Sequence, residues 1–146
     1  MVHYEVTTVQ SLQVLITFVY CHNNMMVRKT VWDSLDDISQ SQIPWICTGD
    51  WNTILSLDDR LSNFQFHPRD AEDFKDYLFR KDLVVLPSGG LKYTWYNQQH
   101  PPNHVWATLD RAVANIKWRY KICFEVNILA PGESCLLYTS PSPRDS

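Results

Sequence analysis

Nothing in this chain approaches the run of about eighteen apolar residues that a membrane-spanning helix requires. The opening Met1-Val2-His3-Tyr4-Glu5 lacks the basic-then-apolar order of a secretory leader, so an intracellular setting is the expectation. Cysteine is sparse. The four, at 21, 47, 123 and 135, show no Cys-x-x-Cys spacing, which argues against a zinc ribbon or a clustered disulfide framework and leaves reduced, mostly buried thiols. No internal repeat is visible. Charge of one sign is also locally scarce: residues 33–82 carry eleven acids against five bases, whereas residues 91–122 carry Asp110 alone against Lys92, Arg111, Lys117, Arg119 and Lys121. The net charge of −3 opposes broad adhesion to nucleic acid. The later basic segment reads equally as a phosphate-facing surface or as a solvated face.

What is present suits one globular domain: 146 residues, 45% apolar and 20% charged. Leu12 to Tyr20 (LQVLITFVY) is nearly all apolar and rich in β-branched and aromatic residues, as a strand buried on both faces would be. His3 to Thr8 is its expected hairpin partner across Val9-Gln10-Ser11. Val27, Val31, Leu35 and Ile38 recur at helical spacing after Asn23-Asn24 and define the expected inner face of an amphipathic helix. Pro44 opens a second apolar run, Trp45-Ile46-Cys47-Thr48, that ends at Gly49-Asp50. Pro68 starts another helix, with Asp70, Glu72 and Asp73 in its first turn, Arg80-Lys81 near its end, and Phe74, Tyr77 and Leu78 inside. Ser88-Gly89-Gly90 reads as a turn. Strands are expected over Lys92–Tyr96 and Val105–Leu109, either side of a polar loop with Pro101-Pro102, and over Phe124–Leu129. This alternation predicts an α/β sandwich of two packed sheets flanked by helices.

The last twelve residues, from Cys135 to Ser146, differ from the rest: three serines and two prolines follow Tyr138 without periodicity. They resemble a translated sequencing-library adapter. On that reading the domain is residues 1–134, and 135–146 is a non-native, disordered tail that plays no part in the fold.

Gly49-Asp50-Trp51-Asn52 is the first candidate for chemistry. It places a carboxylate and a carboxamide just past a buried strand, where ligand sites concentrate. Phosphodiester hydrolysis needs a water aligned with the leaving oxygen and groups that stabilise charge on the phosphate. Asp50 could orient that water or take its proton, and Asn52 could donate to a phosphate oxygen. Taken alone, Asp and Asn after a strand are more often plain turn formers.

The ordered set around that tetrapeptide is more specific. Val19-Tyr20 precedes Pro44-Trp45 and Gly49-Asp50-Trp51-Asn52. Tyr93-Thr94-Trp95 follows, then Val105-Trp106 leading to Leu109-Asp110-Arg111, then Asn115 and Trp118. Over residues 4–134 this series resembles the endonuclease domain of plant long-interspersed-element (non-LTR) retrotransposons, in the endonuclease/exonuclease/phosphatase superfamily. The resemblance implies a four-layer α/β sandwich, a divalent metal (usually Mg2+), and nicking of DNA whose 3′ end primes a downstream reverse transcriptase, in the nucleus for the full-length element. By position it makes Asp50 and Asn52 active-site residues around the scissile phosphate. It also brings the Tyr20 hydroxyl near that phosphate. Thr94 would hydrogen-bond the DNA backbone or its own neighbours, and Asp110 would hold a catalytic histidine in its working tautomer. Residue by residue the plain alternatives are a strand-end core tyrosine, cross-strand packing of Thr94, and a surface ion pair within Asp110-Arg111.

Two departures are small: Trp51 stands where the family usually has phenylalanine, and Cys21 replaces a small residue. The omissions matter more. The family's early asparagine and metal-binding glutamate lie upstream of the strand ending at Tyr20, and Glu5 does not sit in their context. The family's closing Ser-Asp-His would begin at Ser134, and no histidine follows His104. The expectation is therefore a fold incomplete at both ends, with open sheet edges, poor solubility and no turnover. Loss of the general acid/base alone removes roughly 10²–10⁴ in rate. Two other readings stay open. One is a phosphatase of the same superfamily acting on inositol phosphates or lipids. The other is a non-catalytic module that binds nucleic acid or protein through exposed tryptophans and Lys117–Lys121, although Trp32, Trp45 and Trp106 read more naturally as core.

Overall fold

A computed structural model of the chain describes residues 1–122 and 126–129, and the fold is of the α/β class the sequence leads one to expect. The expected hairpin and the apolar run after Pro44 supply three adjacent strands of the largest sheet, although the Leu12–Tyr20 segment is not buried on both faces throughout: Phe18 and Tyr20 are exposed on one of them. β1 (Val2–Thr7) and β2 (Gln13–Tyr20) make an antiparallel hairpin, and β3 (Trp45–Asp50) lies parallel to β2. The sheet continues through β9 (Asp110–Ala114) to β5 (Val84–Val85), in the order β1-β2-β3-β9-β5. A three-stranded sheet joins β4 (Arg60–Ser62), β8 (Val105–Ala107) and β7 (Trp95–Tyr96). β6 (Ser88–Gly90) pairs in parallel with β10 (Val126–Ile128). Ser88-Gly89-Gly90 is thus a strand rather than the expected turn, because its backbone finds a ladder partner far along the chain.

Helix α1 (Met25–Ser39) begins where Asn24 caps it, its side chain accepting from the amides of Met26 and Val27. Its buried side is Arg28, Trp32 and Leu35, with Val31 and Ile38 packed alongside. Val27, expected on the inner face, is exposed instead, because the first inward position is taken by Arg28, which has carbonyls to satisfy. Helix α2 (Arg69–Arg80) follows Pro68 and buries Ala71, Phe74, Tyr77 and Leu78 as its apolar spacing predicts. A short α3 (Ile116–Lys121) is capped by the Asn115 side chain at the Trp118 amide.

α1 and α2 cover one face of the large sheet. Leu15, Val19, Trp45, Cys47 and Val113 meet Trp32, Leu35, Phe74, Tyr77 and Leu78 there, with Trp32 stacked on Tyr77 at 5.0 Å and Trp51 on Phe74 at 5.0 Å. Trp118 of α3 covers one end of the opposite face, over Val14, Ile46, Ala112 and Ala114. Cys21 and Cys47 are buried free thiols; the other two cysteines, like the tail at 135–146, lie outside the described residues. No helix among the described residues is long and apolar enough to cross a membrane.

Candidate active site

The second face of the large sheet is covered at one end only. Along β2 the residues on that face go from 3% exposed at Val14 to 48% at Phe18 and 74% at Tyr20. At this open end three strands come into line. Tyr20 is the register partner of Asp50, and Asp50 is the partner of Asp110. Directly paired residues share a face, so the three side chains form a row across β2, β3 and β9.

The loops after these strands complete the group. Asn52 has φ +51°, a left-handed conformation that asparagine tolerates better than most residues. Its backbone amide donates to Asp50 Oδ1 (2.8 Å), and its Nδ2 donates to the Cys21 carbonyl just past Tyr20 (3.0 Å). Asp50-Trp51-Asn52 is therefore a turn in the plain sense, and the same turn ties the ends of β2 and β3 together. Thr94 lies just before β7 and faces Leu109-Asp110, where the chain crosses from β8 of the small sheet to β9 of the large one. Its Oγ1 accepts from the amides of Leu109 (3.0 Å) and Asp110 (3.2 Å). The hydrogen bonds recorded for Thr94 are thus to its own neighbours. All five residues singled out in the sequence, Tyr20, Asp50, Asn52, Thr94 and Asp110, sit at one rim of the large sheet.

Gly49 sets the alignment. Its φ is +139°, and a Cβ there would lie 2.1 Å from the Val19 carbonyl oxygen, so only glycine lets β2 and β3 close with Tyr20 beside Asp50. Electrostatics follow from the row. Burial pushes the Asp50 carboxyl above its usual range, the Asn52 amide pulls it back, and the neighbouring Asp110 charge pushes it up again.

Two arginines that sequence reasoning did not pick out frame this group. Arg28 is 6% exposed; its guanidinium donates to the carbonyls of Asn23 (2.7 Å), Asn52 (3.3 Å) and His22 (3.4 Å), and it pairs with Asp73 of α2 at 3.5 Å. For Arg111 the plain alternative of a surface ion pair with Asp110 does not hold. The side chain is instead buried, donates to the Thr53 carbonyl (2.8 Å) and pairs with Asp59. Desolvation lowers its pKa, against the opposing pull of Asp59. The sequence did hold the clue: neighbours on a strand point to opposite faces, so Asp110 and Arg111 cannot form a pair on one surface. No comparable signal marks Arg28, whose partners come from three separate segments.

A cavity of about 730 Å³ opens beside the row, lined by Arg28, Asn52, Arg60, Arg69, Trp95 and Leu109 among others. Of the five singled-out residues only Asn52 lines it, so the row and the cavity are adjacent rather than identical. Trp106, read as core, is 37% exposed and stacks on Tyr96 at 4.1 Å, on the side of the small sheet away from the buried Ala107. Trp32 and Trp45 are buried as expected.

The described residues do not by themselves make a metal site. Asp50 and Asp110 supply two carboxylates, one already accepting from a backbone amide, and no group of three or more His, Cys, Asp or Glu side chains among the described residues is placed to hold an ion. No histidine among them hydrogen-bonds Asp110, and Glu5 is exposed on β1.

No family model matches the sequence, and no characterised protein matches it by sequence. Among solved structures the chain is similar to the endonuclease domain of TRAS1, a telomere-specific non-LTR retrotransposon, with a TM-score of 0.48 and 9% identity, over 72% of this chain and 45% of that one. The chain thus spans less than half the length of that structure. At this level of likeness the chemistry has to be read from this chain's own side chains.

Proposed function

We propose that these residues are part of the catalytic centre of a phosphodiester hydrolase that nicks DNA, of the retrotransposon endonuclease type that the sequence motifs resemble. One observation carries the reading. Tyr20, Asp50 and Asp110, from three strands far apart in sequence, stand in one row, with Asn52 and Thr94 hydrogen-bonded at its rim. A purely structural role for the five would not require them to share one open, polar end of an otherwise apolar sheet.

Each group has a defined task. Asp50, its carboxyl pushed upward by burial, is the better proton acceptor for it and orients the attacking water. Asn52 commits Nδ2 to the Cys21 carbonyl through one hydrogen and has a second hydrogen to offer a phosphate oxygen. The exposed Tyr20 hydroxyl donates to the same phosphate. Thr94 fixes the backbone at Leu109-Asp110 and so aims the Asp110 carboxylate, the group that would orient a histidine. Arg60 and Arg69, on the wall of the adjoining cavity, offer cations to a neighbouring stretch of phosphate backbone. The magnesium that the resemblance implies is not provided for by the side chains described. The reading further makes DNA the partner, with a reverse transcriptase in the same full-length protein and the nucleus as its place of work.

The test is a nicking assay on supercoiled plasmid with magnesium. It compares this chain with a longer form to which the upstream glutamate segment and the closing Ser-Asp-His of the retrotransposon endonuclease family have been joined. The expected result is nicking by the longer form, abolished by Asp50→Ala, and none by this chain. Phosphate release from inositol phosphates without nicking would favour the phosphatase reading. DNA binding indifferent to Asp50→Ala, with no cleavage by either form, would leave a binding module.

A further inference from the structure

The β1 edge of the large sheet is an open surface that the catalytic reading does not use. We infer that β1 is a self-complementary edge through which two copies of this chain join their large sheets about a two-fold axis at Tyr4.

Among the described residues β1 is the outermost strand of the five-stranded sheet, and all six of its residues are exposed. Natural proteins blunt such edges with charged side chains, proline or a bulge; Val-His-Tyr-Glu-Val-Thr has no lysine or proline, carries Glu5 as its one acidic charge, and pairs with β2 without interruption. At the closed end of the hairpin the Thr8 amide donates to the Leu12 carbonyl at 2.8 Å. The alternation of an antiparallel ladder then turns the backbone groups of even-numbered β1 residues toward β2 and those of His3, Glu5 and Thr7 toward the free edge.

The sequence selects a second copy as the occupant. In the antiparallel register centred on Tyr4, Val2 faces Val6 of the other copy, Tyr4 faces Tyr4, and His3 faces Glu5 on both sides of the axis. Val2, Tyr4 and Val6 lie on the open apolar face, where Tyr4 meets Phe18 edge-on at 6.2 Å, so the join extends that apolar stripe across both sheets. His3 and Glu5 lie on the opposite face, as an imidazole beside a carboxylate. A register two residues further along sets Glu5 against Glu5, which like-charge repulsion disfavours. A one-residue slip places apolar against polar side chains on each face. The arrangement is isologous and closes at two copies.

Disulfide trapping in the full chain, with Cys123 and Cys135 replaced by serine, reads the register directly. At the axis a residue faces itself in a close pair, so Tyr4→Cys should yield a covalent dimer on mild oxidation, at least tenfold faster than Glu5→Cys, which faces position 3. Sedimentation of the unaltered chain should show a monomer–dimer equilibrium. Glu5→Pro, which removes an outward amide and leaves the β2 ladder intact, should shift that equilibrium to monomer while the circular dichroism spectrum is kept. The His3→Glu single variant should dissociate the dimer, and the His3→Glu, Glu5→His double variant should restore it. A chain that stays monomeric at every concentration overturns the inference, as does equal trapping at positions 4 and 5, or open-ended association in place of a dimer.

Discussion

The two faces of the large sheet are built from alternate residues of the same strands, yet they have opposite fates. Leu15, Val19, Trp45, Cys47 and Val113 disappear under α1 and α2. Phe18, Tyr20, Asp50 and Asp110, one step out of phase on the same strands, remain wholly or partly exposed and converge at one rim. The helix-covered face does the stabilising, and because it is closed and continuous, the other can hold paired carboxylates and an exposed tyrosine that cost stability.

The sharpest way to break that contrast is to remove an aromatic from the covered side. Trp51 is fully buried, stacks on Phe74 and donates from Nε1 to the Arg111 carbonyl at 3.1 Å. Trp51→Ala should cost about 3–5 kcal/mol. Phe18→Thr, at a position half-exposed on the open face and edge-on to Tyr4, should cost only about 1 kcal/mol. Urea denaturation of both variants measures the gap, and equal losses would erase the distinction.

Arg28 comes next, because it joins the covered face to the rim. Arg28→Met leaves Asp73 partly buried without its cation and three carbonyls without a donor, and should cost roughly 3 kcal/mol. Hydrogen exchange should show residues 22–24 and 52–53 losing protection before β3 does; uniform loss would make Arg28 an ordinary core residue.

Asn52 sharpens the comparison within the rim itself. Asn52→Ala forfeits both the left-handed tolerance and the bond to the Cys21 carbonyl, for about 1–2 kcal/mol. Asn52→Gly keeps the backbone preference and should recover part of that loss. Identical thermal melts for the two variants would mean that the side-chain bond alone matters.

Asp50 gives the smallest change and one of opposite sign. Its folded-state pKa is raised, so the folded chain holds that proton more tightly than the unfolded one. The associated stability is complete below the ordinary aspartate range and is lost as pH climbs through the raised folded value. Asp50→Asn keeps an oxygen for the Asn52 amide and removes the charge. The variant should therefore melt above the parent at neutral pH, with the difference vanishing under acid conditions. A parent that is the more stable of the two at neutral pH would show that the Asp50 charge is satisfied rather than strained.

Much of this was readable from residues alone, but unevenly. α2 was legible because its apolar spacing, acidic first turn and basic last turn all agree. β6 was not, since Ser-Gly-Gly carries every mark of a turn, and only the ladder with β10 makes it a strand. α1 was legible at Val31, Leu35 and Ile38, and only Val27 was misplaced, because a buried arginine looks polar in any periodicity count. The family resemblance pointed to Tyr20, Asp50, Asn52, Thr94 and Asp110, and the fold brings these five to one rim. The arginines that brace them were missed, because carbonyl partners carry no sequence signature.

The amino-acid sequence by itself determined the α/β class, the hairpin, the two long helices and which side chains are chemically equipped to act. Those properties follow from local spacing and side-chain type. Tertiary structure alone decided that Tyr20, Asp50 and Asp110 stand side by side, that Arg111 turns inward to Asp59, and that one face of the sheet stays open. Each of these depends on strand register between segments distant in the chain, and register is settled by packing after the strands meet.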